Sequence, residues 1–144
     1  EIVGLGKACE IAAWNLEYNC RHMQAMRDRL QAGITAAVAD VRLNGHPERR
    51  LPNTLSLSFR NVAANRLLEA IGPEVAASAG AACHAGSVAV SHVLKAMAVP
   101  VEWAMGTLRL TTGRMTTAEE VDRAVQVIGQ AVNTLKDGNI KTRN

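Results

Sequence analysis

Residues 107–122 read TLRLTTGRMTTAEEVD, and they combine a strand pattern with a helix-start pattern. In the first part, the apolar side chains of Leu108 and Leu110 are separated by Arg109, which is the period-two alternation of a strand with one buried face. We therefore predict a strand over residues 107–112. In such a strand, Arg109 lies on the face opposite the two leucines.

The second part of this stretch predicts the start of a helix. Thr116 and Glu119 form a capping box, in which a hydroxyl caps the first turn and a carboxylate three residues later reaches back to it. Apolar residues then recur at helical spacing from Val121 to Leu135. We expect this helix to end near Gly138, because glycine is common just past a helix end.

The same two periods predict the remaining elements. An apolar stripe over residues 3–38 predicts one long N-terminal helix, with a kink or an end near Gly33. Further strands are predicted at 41–43, 54–59 and 75–78, and shorter helices at 65–71, 91–97 and 101–105. Strands mixed with helices in this way predict an α+β domain, in which helices cover one face of a short, mostly antiparallel sheet.

The composition excludes several classes of protein. The 144 residues are 48% hydrophobic and 20% charged, which favours one domain with a core over a disordered chain. The 16 Lys and Arg residues are scattered, which argues against a nucleic-acid-binding surface. No apolar run approaches the length of a membrane span, so we expect no membrane segment. Three widely spaced cysteines do not form a disulfide framework, and a cytoplasmic, reducing location is expected.

Two of the cysteines lie in the predicted N-terminal helix. Cys9 and Cys20 are eleven residues apart, close to three helical turns, and therefore share one face. With His22 nearby they raise the alternative of a metal site. Zinc ligands are usually separated by two to four intervening residues, whereas one residue separates Cys20 from His22 and ten separate Cys9 from Cys20. We therefore expect both cysteines on a packed face, and no metal.

The third cysteine lies in a run of small residues. Residues 78–87 read SAGAACHAGS. Glycines relax the backbone on both sides, so we predict a mobile loop that joins the strand at 75–78 to the helix at 91–97. On such a loop, the thiol of Cys83 is a candidate nucleophile once it ionises. The alternative is a buried small residue in a turn, because free cysteine is among the most buried residue types.

Four other side chains are candidates for chemistry. Arg109 interrupts an apolar strand, and its guanidinium fork suits a carboxylate; the alternative is an ordinary solvent-facing position. His84 is a poor base for Cys83, because neighbouring side chains of an extended segment point apart. His92 and Arg114 are equally compatible with a surface position. From the residues alone, the chain is an α+β domain with a loop thiol and a strand arginine.

Five stretches resemble the C-terminal part of the cysteine desulfurases, which are class V, fold-type I enzymes that use pyridoxal 5′-phosphate (PLP). They follow one another along the chain at residues 2–8, 51–59, 78–84, 91–97 and 108–122. The run GAACH at residues 80–84 is also similar to the selenocysteine lyases of the same class. The resemblance implies that residues 1–144 are a single domain, the small C-terminal domain of a longer enzyme. A first residue other than methionine fits this expectation.

The resemblance implies roles for two residues. Cys83 matches the nucleophile of the family, which attacks the sulfur of a PLP-bound cysteine and becomes a persulfide. Arg109 matches the arginine that holds the α-carboxylate of the substrate. The chain departs from the family pattern at residues 84–85, where hydroxyl residues are common, at Ala98, where glycine is common, and at residues 63–65, where an acidic-Gly-Glu motif is common. These departures bear on loop dynamics and substrate preference.

The resemblance also implies groups that this chain lacks. The lysine that carries PLP, the stacking histidine and the aspartate on the pyridine nitrogen belong to a large upstream domain. The lysines of this chain have no such setting; they are Lys7, Lys95, Lys136 and Lys141. We therefore expect no cofactor-binding residue and no bound PLP in this fragment, which alone would be inactive.

The partners follow from the same resemblance. They are L-cysteine or L-selenocysteine as substrate, the chain's own large domain, a second copy in a homodimer, and an acceptor protein for sulfur or selenium in iron–sulfur cluster assembly. Two alternatives stay open: a cofactor-free sulfur-carrier or interaction module with this fold, and a class V aminotransferase without sulfur chemistry.

Overall fold

The computed structural model describes the backbone of residues 1–84 and 87–141, and the side chains of residues 1–80 and 90–138. The elements in this part of the chain are α1 (Ile2–Ala37), β1 (Val41–Leu43), β2 (Thr54–Phe59), α2 (Ala64–Ile71), β3 (Ser78–Ala79), β4 (Ala81–His84), β5 (Ser87–Val90), α3 (His92–Ala96), α4 (Val101–Ala104), β6 (Thr107–Thr111) and α5 (Ala118–Lys141).

Four strands form one antiparallel sheet in the order β1-β2-β6-β3. The central pair, β2 and β6, aligns Leu55 with Leu110 and Leu57 with Leu108, so the leucines of both strands lie on one face. All four leucines are at most 3% exposed. The predicted alternation is confirmed, and Arg109 is exposed between the two buried leucines of β6.

Helices α1, α2 and α5 cover the leucine face. α1 packs along α5, and α2 packs on α5. The core side chains from these helices include Leu30, Ile34, Leu67, Ile71, Val121, Ile128 and Val132. Arg29 of α1 also binds Asp122 of α5 through two hydrogen bonds of 2.7 Å, which hold the pKa of the Asp122 carboxyl below its ordinary value. The predicted α+β class and antiparallel sheet are confirmed.

The prediction that helices cover only one face of the sheet is wrong. α3 and α4 lie on the other face, where Leu94 and Val99 belong to a second small apolar cluster. The Thr107 hydroxyl, from β6, donates a hydrogen bond of 3.4 Å to the carbonyl of Trp103 in α4. Helices of five and four residues are too short to carry a readable apolar stripe, so the pattern did not reveal where they pack.

The N-terminal half of α1 extends past the sheet. α1 has 36 residues, a length of about 54 Å at the usual helical rise. Leu30 and Ile34, near its C-terminal end, are buried, whereas Leu5 and Leu16 on the same predicted stripe are 68% and 62% exposed. The first half of the stripe therefore covers no core in the described part of the chain.

The same geometry corrects two expectations about α1. Cys20 is half-buried but Cys9 is exposed, so the prediction of a packed face is wrong for Cys9, which lies in the extension. α1 also does not end at Gly33. A Cβ on Gly33 would lie 2.6 Å from a methyl carbon of Val125, so glycine here permits the close approach of α1 and α5.

The start of α5 carries a capping box, one residue later than predicted. The Thr117 hydroxyl accepts a hydrogen bond of 3.2 Å from the amide of Glu120, and the Glu120 carboxylate accepts one of 2.9 Å from the amide of Thr117. The predicted box at 116–119 is wrong by one position, because Thr117 directly precedes the helix. The predicted end at Gly138 is also wrong, since α5 continues to Lys141.

β4 and β5 form a separate two-stranded antiparallel ribbon, the Cys83 ribbon (residues 81–84 and 87–90), in which Cys83 pairs with Val88. The predicted loop is therefore wrong over its described part, because the backbone at Cys83 is extended and paired. The glycines that favour a mobile loop are equally compatible with pairing between the two halves of the segment. The strand predicted at 75–78 is also wrong, because β3 begins at Ser78.

Ala98, just after α3, has a φ of 51°, in the left-handed region that favours glycine. An Ala98→Gly variant is expected to raise the free energy of unfolding by about 0.5–1 kcal/mol, because removing Cβ relieves the strain. Urea denaturation measures the change. The matched control is Ala96→Gly at the last residue of α3, which is expected to lower the free energy of unfolding by about 0.5–1 kcal/mol. A loss of stability in Ala98→Gly would contradict the left-handed conformation of Ala98.

Candidate functional site

A cleft of about 330 Å³ lies on the sheet face opposite the leucine core. The sheet forms its floor and α3 forms one wall. Its lining residues are Asn44, Ser56, Ala79, Gly80, Ser91, Val93, Leu94, Met97, Thr107 and Arg109. The cleft combines apolar wall residues with a few polar groups on the floor, which is the usual composition of a small-molecule site.

A row of polar side chains crosses the sheet, and its members Asn44, Ser56 and Arg109 line the floor of the cleft. Ser56 and Ser78 are the cross-strand partners of Arg109 on its two sides. Asn44, which directly follows β1, donates its backbone N–H to the carbonyl of Ser56 at 2.9 Å and so extends the row. Within the described residues, no hydrogen bond or ion pair engages the Arg109 side chain. Its fork is therefore available to a carboxylate.

A buried hydrogen-bond network lies beside this row. The Asn44 side-chain amide donates to the hydroxyls of Ser58 at 2.8 Å and Ser56 at 3.2 Å, and the Ser58 hydroxyl is 2.7 Å from that of Thr107. Asn44 is 8% exposed, and Ser58 and Thr107 are at most 1% exposed. The side-chain oxygen of Asn44 (Oδ1) is buried and has no partner among the described residues. An unpaired buried acceptor costs about 1–3 kcal/mol.

The Cys83 ribbon begins and ends at the cleft. The amide of Gly80, just before β4, donates a hydrogen bond of 2.7 Å to the carbonyl of Thr107. A Cβ on Gly80 would lie 2.7 Å from Cβ of Thr107, so only glycine lets the chain approach β6 this closely. Ser91, just after β5, caps α3 by accepting from the amide of Val93 at 3.2 Å. Two residues separate Gly80 from Cys83, so their Cα atoms are at most about 11 Å apart.

The structure brings only some of the predicted site residues together. Arg109 lies in the cleft, and Cys83 lies in the ribbon that leaves it. His92 is exposed, and Arg114 lines a separate groove beside α1. The side chains of Cys83 and His84 lie outside the described ones, so their roles stay predictions.

Sequence reasoning missed Asn44 and Ser56. Asn44 precedes Gly45 in a polar stretch that is typical of a turn, although one further alternating position past β1 would have placed it on the sheet. Ser56 lies in the strand predicted at 54–59, but nothing in the sequence marks it as a site residue. The register between β2 and β6 places Ser56 beside Arg109, and the sequence alone does not determine that register.

The described residues do not fit PLP by themselves, because the cofactor needs a lysine that reaches it from a cleft. Lys7 pairs with Glu10 on the exposed part of α1, and Lys136 binds the carbonyl of Ala39. Lys95 is exposed, and no described lysine lines the cleft. Nor does any described group of three His, Cys, Asp or Glu side chains have the geometry of a metal site. No helix in the described ranges has the length and hydropathy to span a membrane.

The fold is similar to part of two solved NifS-like proteins. One solved structure of a NifS-like protein matches with a TM-score of 0.78 and 31% identity, over 93% of this chain and 33% of that one. A NifS-like protein from Rickettsia africae matches with the same TM-score at 21% identity, over 92% of this chain and 34% of that one, which shows the fold alone.

Sequence comparison adds the family. The chain is 40% identical to cysteine desulfurase NifS of Azotobacter vinelandii and 41% identical to cysteine desulfurase IscS of Methanosarcina thermophila, in each case over 94% of this chain and 34% of the relative. The aminotransferase class-V family model matches residues 1–124, and the chain belongs to this family. It spans about a third of the length of these curated relatives.

Proposed function

We propose that residues 1–144 are a single domain, the small C-terminal domain of a PLP-dependent cysteine desulfurase. The observation that carries the proposal is a strand arginine without a partner among the described residues, in a cleft from which a cysteine-bearing ribbon leaves. The names of the relatives support it, because NifS and IscS are both called cysteine desulfurases. The rest of the enzyme would hold PLP, since the described residues do not fit it.

In this proposal, Arg109 binds the substrate and Cys83 accepts its sulfur. Arg109 binds the α-carboxylate of L-cysteine through two parallel N–H bonds, which fix the orientation of the substrate as well as its charge. The thiol of Cys83 accepts the substrate sulfur: the carbon–sulfur bond of L-cysteine breaks and a sulfur–sulfur bond forms on Cys83. The thiol becomes a persulfide, a proton goes to the substrate carbon, and L-alanine leaves. The exchange balances without an outside oxidant or reductant.

The remainder of the enzyme has a candidate docking surface in the exposed half of α1. Its large exposed apolar side chains are Ile2, Val3, Leu5, Ile11, Trp14, Leu16 and Tyr18. A patch of this kind on one helix usually marks an interface. We place the large domain of the same enzyme there. A homodimer, an acceptor protein in iron–sulfur cluster assembly and a cytoplasmic location complete the proposal.

Without the large domain, this surface should make the isolated chain self-associate. We expect light scattering to show a mass that rises with protein concentration. A double variant, Leu5→Lys with Leu16→Lys, should remove most of that rise because it charges the surface. Leu51→Lys, at an equally exposed leucine outside this half of α1, should leave it unchanged. A wild-type monomer at every concentration would count against the docking surface.

Arg109→Lys tests the carboxylate role. The change keeps the charge but loses the fork, so in the full-length enzyme kcat/KM for L-cysteine should fall at least about tenfold, or roughly 1.4 kcal/mol. PLP content should be unchanged. Arg114→Lys is the matched control, because Arg114 is exposed and lies outside the cleft. Kinetics close to wild type in Arg109→Lys would identify Arg109 as an ordinary surface residue.

A cofactor-free sulfur carrier is the second candidate, favoured by the lack of a fit to PLP in the described part of the chain. Near-visible absorbance separates the two functions, because a PLP–lysine adduct absorbs there. A colourless full-length protein would support the carrier. A yellow protein that turns over L-selenocysteine but not L-cysteine would indicate a selenocysteine lyase instead.

A further inference from the structure

Two polar groups in the cleft lack hydrogen-bond partners among the described residues, and one is a donor while the other is an acceptor. The Arg109 guanidinium carries five N–H donors and has no acceptor among the described residues. The Asn44 carbonyl oxygen is an acceptor without a donor in the same part of the chain. Both residues flank Ser56 on the same face of the sheet, one strand away on either side.

We propose that Asn44 is a positioning residue for Arg109: its carbonyl oxygen accepts a hydrogen bond from the guanidinium when a carboxylate ligand is bound. The inference rests on the proposed function, since it assigns Arg109 the substrate carboxylate. It adds a residue that anchors the arginine and so helps to select carboxylate ligands.

The chemistry of the guanidinium motivates this assignment. A bidentate carboxylate takes two of the five donors, and burial of the fork under a ligand removes water from the others. Each donor left without an acceptor then carries a desolvation cost. The Asn44 side-chain oxygen is an acceptor on the floor of the cleft that is shielded from water and has no partner among the described residues. Its use therefore requires Arg109 to fold down against the sheet.

The side-chain network fixes which end of the Asn44 amide is available. Its nitrogen already donates to Ser58 and Ser56, so the amide is held with its oxygen as the free end. Neighbouring strands are about 4.8 Å apart, and one strand separates Asn44 from Arg109. An extended arginine side chain is long enough to cross it.

The experiment uses the full-length holoenzyme and two competitive inhibitors. One is 3-mercaptopropionate, which has the carboxylate of the substrate but no amine; the other is cysteamine, which has the amine but no carboxylate. Asn44→Leu should weaken binding of 3-mercaptopropionate about tenfold and leave that of cysteamine within about twofold, because one hydrogen bond to a charged group is lost. In Asn44→Leu, the KM for L-cysteine should rise together with the inhibition constant of 3-mercaptopropionate.

Two further variants separate positioning from folding. Ser58→Ala removes one partner of the Asn44 nitrogen but keeps the Asn44 side-chain oxygen and the hydrogen bond to Ser56, so it should lower stability and change the affinity for 3-mercaptopropionate much less than Asn44→Leu does. In an Arg109→Lys background, Asn44→Leu should have at most about a twofold effect, because lysine has no fork to anchor. If Asn44→Leu fails to fold, Asn44→Ser, which is smaller and lacks the same oxygen, replaces it.

Unchanged affinity for 3-mercaptopropionate in the Asn44 variants would overturn the inference. So would an equal loss for both inhibitors, since that marks a general structural defect. Either result, in an enzyme whose wild type desulfurates L-cysteine, leaves the proposed function intact. A wild-type enzyme without that activity would instead refute the proposed function itself.

Discussion

Cys83→Ser in the full-length enzyme is expected to abolish release of sulfur from L-cysteine while PLP stays bound. Serine has nearly the same size, but its hydroxyl is not a nucleophile without an activating base and cannot carry the sulfur as a persulfide. Alanine formation and sulfide release measure the reaction, and near-visible absorbance measures the cofactor. The expected loss is complete, which makes this the largest effect among our predictions.

Two other cysteines serve as controls for this variant. Cys9 is exposed on the extension of α1 and Cys20 is half-buried further along it, and neither lines the cleft. Cys9→Ser and Cys20→Ser should therefore keep desulfurase activity. Normal cysteine turnover in Cys83→Ser would remove Cys83 from the mechanism. Survival of selenocysteine turnover alone would favour a lyase.

Gly106→Ala is expected to have the largest effect on stability, a loss of about 3 kcal/mol. A Cβ at this position would overlap the carbonyl oxygen of Phe59 and lie 2.8 Å from that of Val62. Both contacts are with backbone, which a side-chain rotation cannot relieve. The Gly106 carbonyl also accepts a hydrogen bond of 3.1 Å from the Phe59 amide, so a shift there would disturb the end of β2.

Urea denaturation measures this loss, with Gly4→Ala as the matched control. A Cβ on Gly4 would meet nothing within 4 Å, and Gly4 lies inside α1, so alanine should be neutral or stabilising there. A Gly106→Ala protein within about 0.5 kcal/mol of wild type would contradict the close packing between β2 and the turn before β6.

The sequence predicts the centre of this fold well. Leu55 and Leu57 in β2, and Leu108 and Leu110 in β6, alternate with polar residues, and an antiparallel pair with one buried face satisfies that pattern. The stripe of α1 predicts its length but not its exposure, because periodicity shows which face is apolar and not whether a partner covers it. Leu5 therefore belongs to the predicted stripe but is exposed in the structure.

The site is predicted less completely, for a physical reason. Arg109 stands out because a charge interrupts an apolar strand. Asn44 and Ser56 are ordinary polar residues in sequence, and only the strand register brings them beside Arg109. The ribbon at Cys83 depends on pairing between two short segments of small residues, and neither has a periodic signal of its own.

The central claim, that Cys83 accepts sulfur from L-cysteine, is tested most directly by mass spectrometry of peptides from the full-length enzyme after brief incubation with L-cysteine. The account predicts that the peptide with Cys83 gains the mass of one sulfur atom, that Arg109→Lys slows this gain, and that a reductant reverses it. Sulfur on Cys9 or Cys20 instead, or alanine formed with Cys83 unmodified throughout, would contradict the account.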